Sequence, residues 1–231
     1  MPRKPRCYLP GMPSHVVQRG HDRQACFFEK ENYQFYLVCL GEACNRYDVA
    51  LHAYVLMTNH VHLLMTPETE SGISRVMQLV GNRYVQYINK KYCRSGSLWE
   101  GRHKASLVNA EEYLLACYRY IELNPVRANI VKHPNDYRWS SYRAHATGFN
   151  DELIHDHDLY FAIDTNEKQR QFYYRGLFKS ELYGEDIHDI RLAVNFSAPL
   201  GNSQFKEQIV ATTGRKVVQL RKGRPEVIDA K

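Results

Sequence analysis

With 231 residues, 44% hydrophobic and 24% charged, the chain has the make-up of an ordinary globular protein. That length holds one sizeable domain, or a core of about 140 to 150 residues with an appended unit. Lys and Arg outnumber Asp and Glu by 31 to 25, giving a net charge of +6 and a pI near 8.9, which favours a polyanionic partner such as nucleic acid without requiring one. The six cysteines form no C-x-x-C pair, no run approaches a membrane span, and neither a P-loop nor a G-x-G-x-x-G occurs. Zinc fingers, disulfide scaffolds, membrane-spanning helices and nucleotide-driven chemistry are thereby set aside. The basic start, MPRKPRCYLPGMPSH, runs into Pro and Gly rather than an apolar stretch, so the expected location is the cytoplasm, with reduced thiols and no membrane association.

In chain order, Ser14 to Arg19 alternates and is rich in β-branched residues, which predicts a first strand ending at Gly20. Glu31 to Arg46 repeats apolar residues at helical spacing, with Phe35, Val38, Cys39 and Ala43 on the expected buried face. Val49 to Leu56 and Asn59 to Thr66 read as strands joined by a short connection, hence an antiparallel hairpin. Ser71 to Tyr92 predicts a long helix carrying Ile73, Val76, Val80, Tyr84 and Tyr87 on one side. Its Arg75, Arg83, Lys90 and Lys91 form either a solvated face or a phosphate-contacting one. After a turn at Arg94 to Ser97, Lys104 to Val108 is a strand. A third helix then runs from Ala110 to about Leu123, with Asn109 placed to cap it and Glu111 and Glu112 suited to its dipole. Pro125 disfavours helical geometry at Asn124, so an end or kink is expected there. The order β, α, β, β, α, β, α suggests an α+β sandwich of ferredoxin-like type, an antiparallel sheet with helices packed on it.

Beyond Val131 the turn-rich, aromatic HPNDYRWSSYRAHATGF is expected to wrap back over the core. Helices follow around Asn166 to Leu182 and over Ser203 to Thr212, and the chain closes on a basic tail, GRKVVQLRKGRPEV. This divides the chain into a main domain over residues 1–148 and a mostly helical extension over 149–231.

In LHAYVLMTNHVHLLMT, side chains alternate across the strand, so His60 and His62 share a face while Val61, Leu63 and Met65 take the other. Two imidazoles so placed can share a metal ion on a rigid element. With 11 histidines in 231 residues, chance alone supplies roughly half an H-x-H pair, and a second one, His155-Asp156-His157, lies among acids and reads as a loop or helix start. What sets His60 and His62 apart is the apolar strand around them, because buried imidazoles need partners.

Tyr120 and Asn124 are four apart and share one face of the third helix if it persists to its end. An amide oxygen can be a third ligand to a hard cation, and a phenol one turn away could reach a phosphate bound to that cation. Tyr118 points to nearly the opposite side, and Tyr113 lies about 10 Å along the axis. Tyr120 as a core aromatic and Asn124 as a helix C-cap account for the same residues.

The whole pattern resembles the IS200-type single-tyrosine (Y1) transposases of the HUH nuclease superfamily, and most closely the REP-associated tyrosine transposases. The residues carrying the resemblance are PGMPSHVVQRGHDRQACFF, VLMTNHVHLLM, LWEGRHKASLV, YRYIELNPVRANIV and YRWSSY, in order over roughly residues 8–145. Position by position it implies an HUH pair at His60 and His62, a nucleophile at Tyr120 and a further polar ligand at Asn124, with Mg²⁺ or Mn²⁺ as cofactor. It further implies attack by Tyr120 on a phosphodiester of single-stranded or hairpin DNA, with repetitive palindromic elements as the expected partner, giving a 5′-phosphotyrosine and a free 3′-OH that allow rejoining without ATP. A phenol is a weak nucleophile at neutral pH, its ordinary pKa being near 10, so local positive charge, the metal or a base must assist.

His15, Arg19, Arg83 and Arg102 are the candidate DNA contacts, with structural hydrogen bonds or salt bridges as the competing account of each. The segment Arg221-Lys222-Gly223-Arg224-Pro225 is similar to a minor-groove arm and reads as a basic disordered tail. The resemblance allows dimers that exchange the tyrosine helix and also monomers. A nucleic-acid-binding regulator on the same scaffold and a metal-dependent hydrolase with water as nucleophile are the alternatives.

Overall fold

The computed structural model describes residues 6–214. The basic tail, with its candidate minor-groove segment, lies outside the described residues. Strands β1 (Ser14–Arg19), β2 (Val49–Met57), β3 (His60–Pro67) and β4 (Lys104–Leu107) form one sheet in the order β2-β3-β1-β4. Every adjacent pair is antiparallel. With α1 (Lys30–Arg46) between β1 and β2, and α2 (Gly72–Lys91) between β3 and β4, this is the expected βαββαβ arrangement.

Side-chain parity decides what each face of the sheet meets. Val16, Val61, Leu63 and Met65 point into a core shared with α1 and α2. Ala53, Val55, Met57 and Leu64 point the other way, against α3 (Ala110–Glu122). In β2 the pairing register shifts between Leu51 and Ala53, so His52 is an extra residue on that strand and the two flanking residues, although of equal parity, join opposite cores. The helices therefore cover both faces of the sheet.

Of the expected α2 stripe, Ile73, Val76, Val80 and Tyr84 are buried, while Tyr87 is half-buried and Ile88 takes the last buried position. In α1 the buried stripe is Asn32, Tyr36, Cys39, Leu40, Ala43 and Cys44, while Val38 stands 54% exposed and Phe35 is only half-buried. Cys39 and Ala43 are buried as expected, but Tyr36 to Leu40 is an unbroken apolar run, and packing on the sheet takes Tyr36 and Leu40 in place of Phe35 and Val38. Helix α3 begins after Asn109, which holds the cap position without a side-chain cap bond. It ends at Glu122. Asn124 nonetheless opens a second helical turn, α4 (Asn124–Arg127), in which Pro125 sits where a missing N–H breaks no helical bond.

The segment after Val131 does wrap back. Leu56 donates its N–H to Trp139 O at 2.9 Å, Ser141 N–H reaches Tyr54 O at 3.0 Å, and the Tyr137 hydroxyl donates to Leu56 O at 2.7 Å. These bonds occupy the outer edge of β2 and leave no open strand there. Beyond it come α5 (Tyr142–Thr147), α6 (Asp158–Phe161), α7 (Glu167–Leu177), α8 (Gly184–Phe196) and α9 (Ser203–Thr213). His157 caps α6, accepting from Leu159 N–H at 3.2 Å, so the second H-x-H is a helix start. Helix α8, absent from the sequence-based expectations, lies over β4 and β1 beside α3. All six cysteines are free, and no described helix is long and apolar enough to cross a membrane.

One buried carboxylate ties α3 to this later part of the chain. Glu122 is fully buried and accepts from Ser141 Oγ, His145 Nδ1 and Tyr174 Oη, each at 2.7 Å. Asp156 Oδ1 adds a charge contact at 3.3 Å to His145 Nε2, without hydrogen-bond geometry. Burial by itself would lower the His145 pKa, but the Glu122 carboxylate and then Asp156 outweigh it and raise the value to about 9. An unfolded histidine titrates near 6.5, so the folded state holds an extra proton between the two values. The contribution of the pair is complete below pH ~6.5 and is lost as the pH rises through about 9. The urea midpoint is therefore expected to fall across that window, with a shallower fall in His145→Gln. Equal slopes in the two proteins would count against the charged pair.

Candidate functional site

The alternation of β3 puts His60, His62 and Leu64 on the α3 face, and the antiparallel register sets Arg19 opposite His60 and Val17 opposite His62. His15, two residues before Val17, is therefore a diagonal neighbour of His62 on the same face. Its Nε2 lies 2.9 Å from His62 Nδ1, with the rings stacked 5.1 Å apart at 21°. The rings of His60 and His62 meet edge to face at 5.0 Å. His60 Nδ1 is 2.7 Å from Asn59 Oδ1. Neither His60 Nε2 nor His62 Nε2 has a hydrogen-bond partner among the described residues.

Tyr120 comes to these rings from α3. It is 6% exposed, and its ring lies 5.7 Å from both His15 and His62, edge-on to each. Tyr118, two residues earlier, faces away, fully buried against His145 and Tyr174. Tyr113 is half-buried in the same core as α3's apolar residues. Asn124 donates from Nδ2 to Tyr120 O at 3.1 Å, leaving Oδ1 without a hydrogen bond.

Arg127 is a member of this cluster that the sequence reading did not single out. Its guanidinium carbon sits 4.3 Å from the Tyr120 ring centroid, and its Nη2 donates to Tyr120 O at 2.6 Å. Its Nη1 is buried without a partner. The available signal was spacing: residue 127 falls seven after residue 120, about two turns on and on the same face. The expected break at Pro125 concealed it.

Burial, and then Arg19, push the His60 pKa down to about 4. Burial also carries His62 well below the ordinary range, with His15, His60, Arg127 and Arg19 adding to the effect, and lowers His15 to about 3. At neutral pH all three rings are uncharged and keep lone pairs, the state in which imidazole ligates metal. Arg127, lowered to about 10 by burial, remains a cation.

The four candidate DNA contacts do not lie together. Arg19 and Arg102 share a cleft of about 310 Å³ with Arg6, Lys104 and the α8 residues Val194 and Asn195. His15 is fully buried beneath His62 and Tyr120. Arg83 is on α2, ion-paired with Glu42 of α1, across the sheet from the histidines. Among the described residues no group of three or more His, Cys, Asp or Glu is gathered as a metal cage.

A pair of histidines on an antiparallel sheet, His62 buried and His60 half-buried, with a helix-borne tyrosine packed on His62, sets the site within an α+β fold. The family model for IS200-like transposases matches residues 9–124, half of the chain and inclusive of every residue in that constellation except Arg127. The chain belongs to the IS200-like (Y1) transposase family. The solved structure of a REP-associated tyrosine transposase bound to a REP hairpin is similar in fold, with a TM-score of 0.51 at 19% identity, covering 68% of this chain and 93% of that one. A candidate transposase from Deinococcus radiodurans R1 aligns at 20% identity with a TM-score of 0.37, over 49% of this chain and 90% of that one. No curated protein matches.

Proposed function

We propose that this transposase cleaves and rejoins single-stranded DNA at hairpins through a 5′-phosphotyrosine on Tyr120, with a divalent cation held by His60, His62 and Asn124. The observation that carries the reading is the packing of Tyr120 against two uncharged histidines within the segment shared with the family. Hairpin DNA as substrate is supported by the fold it shares with a transposase solved on a REP hairpin. The cell compartment implied is the cytoplasm.

The donor set fits a cation. His60 Nε2, His62 Nε2 and Asn124 Oδ1 are each free of competing hydrogen bonds, and mixed nitrogen and oxygen donors suit Mg²⁺ or Mn²⁺. When bound, such an ion stabilises negative charge on the phosphoryl and leaving oxygens. The chain's own residues do the rest. The Tyr120 hydroxyl gives up its proton and forms a bond to phosphorus as the bond from phosphorus to the 3′ oxygen breaks, and that oxygen takes a proton to become the 3′-OH. Arg127, a buried cation against the ring with one donor nitrogen unspent, is placed to stabilise negative charge on the phosphate that Tyr120 attacks. A second 3′-OH attacking the phosphotyrosine reverses the step and reseals the strand. Arg19, across the strand pair from His60, opens the cationic cleft where the DNA backbone would run toward the site.

Three outcomes test this. Incubated with Mn²⁺ and labelled single-stranded hairpins from the repeats flanking its own gene, the wild type is expected to give a labelled band at protein mass on a denaturing gel, and Tyr120→Phe none. Cleavage surviving in Tyr120→Phe would instead establish hydrolysis by water, and binding without cleavage a regulator. Arg127→Gln is expected to lower the cleavage rate by roughly 10²–10³-fold with little change in DNA affinity; a rate within a few-fold of wild type would remove Arg127 from the chemistry. Replacing Arg19 and Arg102 together by Ala is expected to reduce the slope of log affinity against log salt by roughly 1.4, two single-strand phosphate contacts. An unchanged slope would take the cleft off the DNA path.

A further inference from the structure

On the metal-site reading just given, we infer that Asn59 and His15 are positioning residues that set the tautomers of His60 and His62, so that each histidine offers a bare Nε2. For His60 a second bond fixes the orientation of the partner. Asn59 Nδ2 donates to Arg23 O at 2.8 Å, so the amide is oriented and it is the oxygen that stands 2.7 Å from His60 Nδ1. An amide oxygen only accepts, which places the proton on Nδ1 and the lone pair on Nε2.

For His62 the partner is another imidazole. Two uncharged rings share one proton across the 2.9 Å contact between His62 Nδ1 and His15 Nε2. With that proton on His62, His15 accepts it and His62 Nε2 is bare. With it on His15, His62 must carry its own proton on Nε2 and cannot ligate. Ligation therefore selects the state in which His15 is the acceptor.

Burying His15 has a cost that this role offsets. The residue is fully buried and its Nδ1 has no partner, whereas an apolar ring would fill the space without stranding a polar atom. The carboxylates that usually receive the outer N–H of a metal-bound imidazole are missing here: among the described residues none hydrogen-bonds to His60 or His62. An amide and a neutral imidazole stand in their place.

The test uses the full chain. In long-range proton–nitrogen correlation spectra of Mg²⁺-loaded, ¹⁵N-histidine-labelled protein, His62 is expected to be protonated at Nδ1 and His15 to be unprotonated at Nε2. By calorimetric titration with Mn²⁺, His15→Phe is expected to bind roughly 10–100-fold more weakly while keeping its melting transition, with Asn59→Leu behaving alike. His15→Gln, whose amide oxygen can accept, should recover most of the loss. Unaltered Mn²⁺ affinity in His15→Phe, or a proton on His62 Nε2 in the loaded wild type, would overturn the inference. Should His15→Phe not fold, the wild-type spectra decide alone. Wild type that binds Mn²⁺ with these tautomers but forms no phosphotyrosine would remove the strand-transfer reading and leave the inference standing; wild type that binds no Mn²⁺ overturns both.

Discussion

The geometry of the site rests on the rotation of one helix about its axis, and that rotation is held by a buried charge. Glu122 follows Tyr120 by two residues, about 200° around the helix, so the two side chains leave α3 on nearly opposite sides. The carboxylate is anchored by Ser141, His145 and Tyr174, all from later in the chain. Turning α3 enough to lift Tyr120 off His62 would pull a charged group from its hydrogen-bonded partners in a dry interior, which typically costs about 3–5 kcal/mol when one partner is lost. Tyr118, two residues before Tyr120, packs on the same later elements and resists the same motion. The extension beyond the family segment is thus part of what aims the tyrosine.

On the other side of α3 the constraint is parity. An antiparallel sheet gives His15, His60, His62 and Arg19 one face without special pleading, since their strands are adjacent and their register is set by pairing along β1 and β3. The bulge at His52 does comparable work at the sheet edge. It shifts the phase of β2 so that Ala53, Val55 and Met57 line the α3 side, and the bulged residue itself bonds to His155 O at 2.6 Å and Thr66 Oγ1 at 2.7 Å. Side chains of small or adaptable shape there, Ala53, Val55 and Met57, pack beneath α3.

The short-range part of this architecture was legible. Four strands, three long helices and the shared face of His60 and His62 follow from periodicities of two and 3.6, and Ser14 to Arg19 needed nothing more than alternation and a following glycine. What was not legible depends on residues distant in sequence. Nothing local to Glu122 announces a fully buried carboxylate; it is explained only by residues 19, 23 and 52 positions later. Helix α8 begins with Gly184-Glu185-Asp186, polar and loop-like, and owes its place to the cover it gives β4 and β1. The choice of stripe on α1 was decided by packing because the sequence there is apolar on two adjoining faces. Arg127 was hidden for a different reason: a sound local rule about the residue before proline was overridden by a helical turn at Asn124.

The charges around the site make a further point about how its parts depend on each other. The groups acting on His60 and His62 are imidazoles and the cations Arg19 and Arg127, and these disfavour added positive charge. A divalent cation alone meets that field as an opponent, whereas a phosphate meets it as an attraction. On the reading proposed above, cation and DNA phosphate would therefore each improve the site for the other, the phosphate by supplying the negative charge that the protein withholds and the cation by fixing where that charge sits. A cage of carboxylates would bind the metal more tightly in the absence of DNA, but it would repel the phosphodiester that has to approach Tyr120. On the same reading, uncharged nitrogen donors held in one tautomer would avoid that conflict.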